Sequence, residues 1–109
     1  MEQFITQFLI PTCGEGQINI TSDISDWIKS NQIYRGLLVI STKHTSCSLI
    51  INENADPRVL HDLSAYMKSM VPEKGIRPLN SNEEIKSYTH ADEGPDDMPA
   101  HIRTVLTSS

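Results

Sequence analysis

Four histidines are the side chains of this 109-residue sequence best suited to chemistry, and their settings differ. His44 stands in Lys-His-Thr-Ser at the entry to an apolar segment, and His90 follows Tyr88 in an acidic stretch. His101 is one turn from both Met98 and Val105, at the margin of a helical apolar stripe, where its ring nitrogens need partners. Imidazole is the commonest metal ligand, and three imidazoles that leave one position open describe a catalytic zinc site. His61 instead falls in the polar arc of its own helix, which predicts a solvated residue. The separations of 46 and 11 residues along His44, His90 and His101 match no compact motif such as HExxH. The residues alone therefore leave open both a three-histidine metal site and three separate, hydrogen-bonded imidazoles.

Carboxylates gather near these positions: Glu53 and Asp56 after the second apolar segment, and Asp92, Glu93, Asp96 and Asp97 around His90. A metal-bound histidine usually donates its other N–H to a carboxylate or carbonyl, and a carboxylate left over can act as a general base. Other roles compete. Asp56 suits a helix cap, and Asp96 and Asp97 precede a helix start, where negative charge is favoured anyway. Lys43 and Arg103 are the cations at hand for an anionic leaving group.

The elements that must hold these residues follow from periodicity. Phe4 to Ile10, Gln17 to Ile20, Gly36 to Thr42 and Ser46 to Asn52 read as strands, the last two as apolar runs covered on both faces. Thr21 and Ser22 are candidate caps for a helix carrying Ile24, Trp27 and Ile28 on one side. Asp56-Pro57 predicts the start of a second helix, with Val59, Leu60, Leu63, Tyr66, Met67 and Met70 inward and Pro72 ending it. Residues 71 to 87 read as a polar loop, and 88 to 97 as an acidic, turn-rich segment. Pro99 opens a last helix with Ile102, Val105 and Leu106 inward. The order predicts one α+β domain over residues 1–109, with a mixed, mainly antiparallel sheet and helices packed on it.

Composition narrows the functional classes. Fourteen acidic against nine basic residues give a net charge of −5, which speaks against a nucleic-acid partner. The longest apolar run, Leu37 to Ile40, is too short to cross a bilayer, and the N-terminus carries no signal-peptide pattern. Cys13 and Cys47 form no CxxC pair and read as small, mostly buried thiols of a reducing, cytoplasmic compartment.

Read in order, His44-Thr45-Ser46, the run INENADP over residues 51 to 57 with Ile50 before it, Asp62-Leu63, and the run GPDDMPAHI over residues 94 to 102 resemble the YjbQ family. These are small proteins described as secondary thiamine-phosphate synthases, and the similarity runs from Phe4 to Leu106. The resemblance implies an α+β fold, assembly as a homotrimer, and a metal pocket lined by His44, His90 and His101. It also draws attention to Glu53 and Asp97 as candidate catalytic carboxylates and to Asp56. Family members continue through further strands beyond a helix like the one at Pro99 to Leu106, which this sequence lacks. Three functions are then in play: thiamine-phosphate synthesis, zinc-dependent hydrolysis or lysis of a small metabolite, and metal or ligand binding without catalysis. Imidazole-rich ligation favours zinc over magnesium or calcium as the divalent metal.

Overall fold

Three helices make up the regular structure of the computed structural model, which describes residues 1–77 and 84–108: α1 (Thr21–Ser30), α2 (Pro57–Met70) and α3 (Asp97–Thr107). The backbone gathers into two compact units, Met1–Ile40 and Ser41–Ser109. No helix among the described residues is long and apolar enough to cross a membrane.

The first unit contains α1. Thr21 and Ser22 are not its caps: Ile20 holds the N-cap position, and Asn19 Oδ1 accepts the Thr21 N–H at 2.9 Å. An Asx side chain two residues upstream thus satisfies an end donor. Ile24, Trp27 and Ile28 are half-buried, as their spacing predicts. The helix closes in a Schellman arrangement, with the Gln32 N–H donating to Lys29 O at 3.0 Å and the Ile33 N–H to Ile28 O at 3.2 Å. Gln32 takes φ 56° to do so, a left-handed conformation usually given to glycine.

In the second unit, Asp56 caps α2 by accepting the Arg58 N–H at 2.9 Å, with Pro57 at the first helical position. The Arg58 guanidinium returns to the same carboxylate at 2.8 Å. Its side-chain and backbone hydrogen bonds hold Asp56 below the usual carboxylate range, and Asp56 in turn raises Arg58. Val59, Leu60, Leu63 and Met67 are half-buried, but Tyr66 and Met70 lie exposed. The α3 helix begins at Asp97, two residues before Pro99, which is fully buried in its first turn. Arg103 Nη2 donates to Val71 O at 2.8 Å, joining α3 to the end of α2 beside the buried Val71. Val105 and Leu106, expected inward, are exposed.

The expected α+β architecture is not present. Among the described residues there is no strand, and the sole pairing is an isolated antiparallel bridge between Ile76 and Lys86. Gly75, at φ 112°, permits that approach, since a Cβ there would run into the Lys86 backbone. Residues 78–83 of the polar loop fall outside the described residues. The four segments read as strands carry β-branched side chains, which express a local preference for extended backbone. A strand also requires a hydrogen-bonded neighbour, and pairing is a non-local property. Leu37 at 91 % exposure and Val39 at 79 % show that the run expected to be covered on both faces has no covering layer among the described residues. Cys13 and Cys47 are likewise exposed rather than buried, because among the described residues no paired strand covers the segments bearing them.

Candidate metal centre

The second unit brings His44, His90 and His101 to one cleft of about 370 Å³, lined also by Thr45, Ser46, Asp92, Glu93 and Asp97. Each arrives by local chemistry. Asp97 occupies the first turn of α3, where the helix dipole favours a carboxylate, and His101 follows one turn later on the same face. Two successive turns fold the preceding segment back toward α3: the Gly94 N–H donates to Ala91 O at 3.2 Å, and the Asp97 N–H to Gly94 O at 3.3 Å. Gly94 sits at φ 135°, and a Cβ there would stand 3.0 Å from Asp96 Oδ1. That reversal carries His90 to Asp97. The segment bearing His44 is tied to the far end of α3 by the Ser48 and Thr107 hydroxyls, 2.5 Å apart.

Asp97 lies between two imidazoles. Its Oδ2 is 3.2 Å from His90 Nε2 and its Oδ1 is 3.3 Å from His101 Nε2, with the carboxylate only 10 % exposed. The two rings are 5.3 Å apart at 59°, so they converge by their edges and do not stack. On its other edge, His101 Nδ1 is 3.3 Å from Thr45 O and 3.1 Å from Ser46 Oγ. A carbonyl can only accept, so the Thr45 contact places a ring proton on Nδ1. With a single ring proton there, Nε2 turns a lone pair toward Asp97 Oδ1. Two lone pairs at 3.3 Å repel unless positive charge stands between them, either a second ring proton or a cation. Asp97 Oδ2 is in the same position: it is buried and forms no hydrogen bond despite the nearby His90 nitrogen.

The residues fit a divalent cation. Ligand atoms of His90, Asp97 and His101 all lie within 4.8 Å of one another. Around a tetrahedral ion with bonds of ~2.0–2.1 Å, neighbouring ligand atoms stand ~3.3–3.4 Å apart, and each imidazole stands at about that separation from a different Asp97 oxygen, His90 from Oδ2 at 3.2 Å and His101 from Oδ1 at 3.3 Å. The Thr45 carbonyl and Ser46 hydroxyl would then orient His101 as outer-shell partners do. His44 lines the cleft but does not belong to this group; its Nδ1 accepts the Ser46 N–H at 2.9 Å.

The other residues singled out by sequence lie apart. Glu53 is exposed and is not among the residues lining the cleft. Asp56 is the α2 cap, and His61 is solvent-facing beside Asp62 at 3.5 Å. Lys43 does not line the cleft, and Arg103 is engaged with Val71. Sequence reasoning passed over Thr45 and Ser46 as partners of His101, and over Asp97 as a ligand. The four-residue spacing of Asp97 and His101 is the signal that finds the pair.

A family model described as "UPF0047 protein YjbQ-like" matches residues 6–109. A UPF0047 protein of Synechocystis sp. is 43% identical over 101 residues, covering 93% of this chain and 62% of its own length. The UPF0047 protein YjbQ of Escherichia coli O157:H7 is 42% identical over 71 residues, 65% of this chain and 44% of that protein. Its counterpart in Salmonella typhimurium is 36% identical over 86 residues, 78% of this chain and 54% of its own. The chain thus spans less than two thirds of the length of these curated relatives. No solved structure matches it.

Proposed function

The chain belongs to the YjbQ-like UPF0047 family, and from that premise we propose that it is a zinc-binding protein that hydrolyses a small metabolite. The observation that carries this reading is the largely covered Asp97 carboxylate set between two imidazole Nε2 atoms, with its buried Oδ2 lacking any hydrogen bond. His90, Asp97 and His101 would hold the ion. Two nitrogens and one oxygen favour zinc over magnesium or calcium. When bound, the ion supplies Lewis acidity to a carbonyl or phosphoryl oxygen and acidifies water. Thr45 and Ser46 hold the His101 ring, and Glu93 and Asp92 at the exposed rim can accept a proton. Thiamine-phosphate synthesis expels diphosphate and calls for cationic side chains at the leaving group. Among the described residues the cleft lining contains neither Lys nor Arg, which favours hydrolysis over that transfer.

The test is turnover of a panel of small phosphate and carboxylate esters by zinc-loaded protein. Turnover that a chelator abolishes, zinc restores and His101→Gln removes supports the assignment. Chelator-insensitive turnover, or none across the panel, contradicts it.

A further inference from the structure

His44 differs from the other two histidines of the cleft in what its ring nitrogens are doing. The Ser46 backbone N–H points at Nδ1 from 2.9 Å. A backbone amide can only donate, so Nδ1 presents a lone pair and the ring proton is on Nε2. A ring in that state has no lone pair to offer a metal: one is used by the amide, and the other position is an N–H. Its nitrogens also stand outside the group formed by His90, Asp97 and His101. Nε2 meets no partner among the described residues, although the side chain lines the cleft.

The cleft around it is rich in acceptors and poor in cationic donors. Asp92, Glu93 and Asp97 contribute carboxylates, and among the described residues neither Lys nor Arg lines it. The Ser46 hydroxyl and Thr45 carbonyl face His101. An oxygen-bearing molecule entering beside the ion needs hydrogen-bond donors; the Thr45 and Ser46 hydroxyls can supply O–H, and His44 supplies an imidazole Nε2–H whose tautomer the Ser46 amide fixes.

We propose that His44 is a substrate-binding donor and not a metal ligand, its Nε2–H received by a carboxylate or phosphoryl oxygen of the bound molecule. The turn at residues 44–46 then has two functions. Through Thr45 and Ser46 it orients a metal-binding ring, and through His44 it holds the substrate oxygen next to the ion. This assignment rests on the metal centre proposed above.

Cobalt(II) in place of zinc, with inorganic phosphate as the probe, separates the two. Apo protein and the His44→Ala, His44→Gln and His90→Ala variants are titrated with cobalt and followed by visible absorption; phosphate is then titrated into each cobalt-loaded sample. Far-UV circular dichroism checks that the helices persist. His44→Ala is expected to bind cobalt within about twofold of the parent with the same band intensities, while His90→Ala loses the bands. A hydrogen bond to a charged oxygen is worth roughly a tenfold change in affinity or more, so phosphate should bind at least about tenfold more weakly to His44→Ala. His44→Gln, which retains an N–H donor, should recover part of that loss. If His44→Ala loses the cobalt bands as His90→Ala does, His44 is a ligand and the proposal is wrong. Unchanged phosphate affinity in His44→Ala also overturns it. A parent protein that takes up no cobalt defeats the metal centre itself, and this assignment with it.

Discussion

Replacing Asp97 by Asn keeps the shape of the side chain while removing the charge that two imidazoles face at 3.2 and 3.3 Å. It also turns one oxygen, a candidate ligand atom, into an amide NH₂ with no lone pair to give. With free zinc buffered at one hundred times the dissociation constant, a single site stabilises the folded chain by ~2.7 kcal/mol. A domain of this size gains about 4–8 °C in melting temperature per kcal/mol, so zinc should raise it by roughly 10–20 °C. Loss of an outer-shell partner weakens metal binding about 10–100-fold, and loss of a direct ligand should reach at least the upper figure. A hundredfold loss at the same free zinc leaves ~0.4 kcal/mol, or about 2–3 °C. The assay is thermal melting of the parent and of Asp97→Asn, each with and without zinc, so that each variant serves as its own reference. His61→Gln, altered on the exposed face of α2, should keep the full rise. A zinc-induced rise in Asp97→Asn equal to that of the parent refutes the reasoning.

Three further outcomes follow from the rest of the molecule. Gln32→Gly should stabilise α1, because glycine takes the same left-handed conformation without the ~1–2 kcal/mol it costs a non-glycine residue, less the extra chain entropy of glycine. A melting temperature unchanged or lowered would count against the Schellman closure. Asp56→Ala should lower helicity and melting temperature more than Asp56→Asn, which keeps a capping oxygen but loses the Arg58 ion pair. Since Arg58 lowers the folded-state Asp56 value, this stabilisation is fully present above the usual carboxylate range. It disappears as pH falls through the lowered value, so melting curves of the parent and Asp56→Ala should converge in acid. Finally, the exposed apolar side chains at Leu37, Val39, Ile50 and Ile51 should drive association into a closed oligomer. Light scattering coupled to size exclusion that shows a stable monomer at micromolar concentration contradicts this.

What was legible in the sequence was what local chemistry determines. Asp56-Pro57 marks the α2 start because capping is settled within three residues, and Pro72 marks its end for the same reason. The segments at 36–42 and 46–52 show the opposite case. Their β-branched runs state a preference, but whether an extended segment pairs depends on residues far away in the chain. The site divides along the same line. His44, His90 and His101 could be gathered as candidates, and His61 set aside, from residue type and helical face. That Asp97 stands between His90 and His101 depends on the two turns at Gly94, and that His44 turns Nδ1 to the Ser46 backbone N–H depends on a two-residue hydrogen bond. Neither contact leaves a mark in spacing across the chain. The helical pair Asp97 and His101 does, and reading α3 from Asp97 rather than Pro99 brings it out.

The central claim is that His90, Asp97 and His101 share one divalent ion. Anomalous diffraction from zinc-loaded crystals, recorded on both sides of the zinc absorption edge, tests it most directly. A single edge-dependent peak within about 2.0–2.2 Å of His90 Nε2, His101 Nε2 and an Asp97 oxygen is the expected result. A peak elsewhere, or none between Asp97 and the two rings at full zinc occupancy in solution, would contradict it.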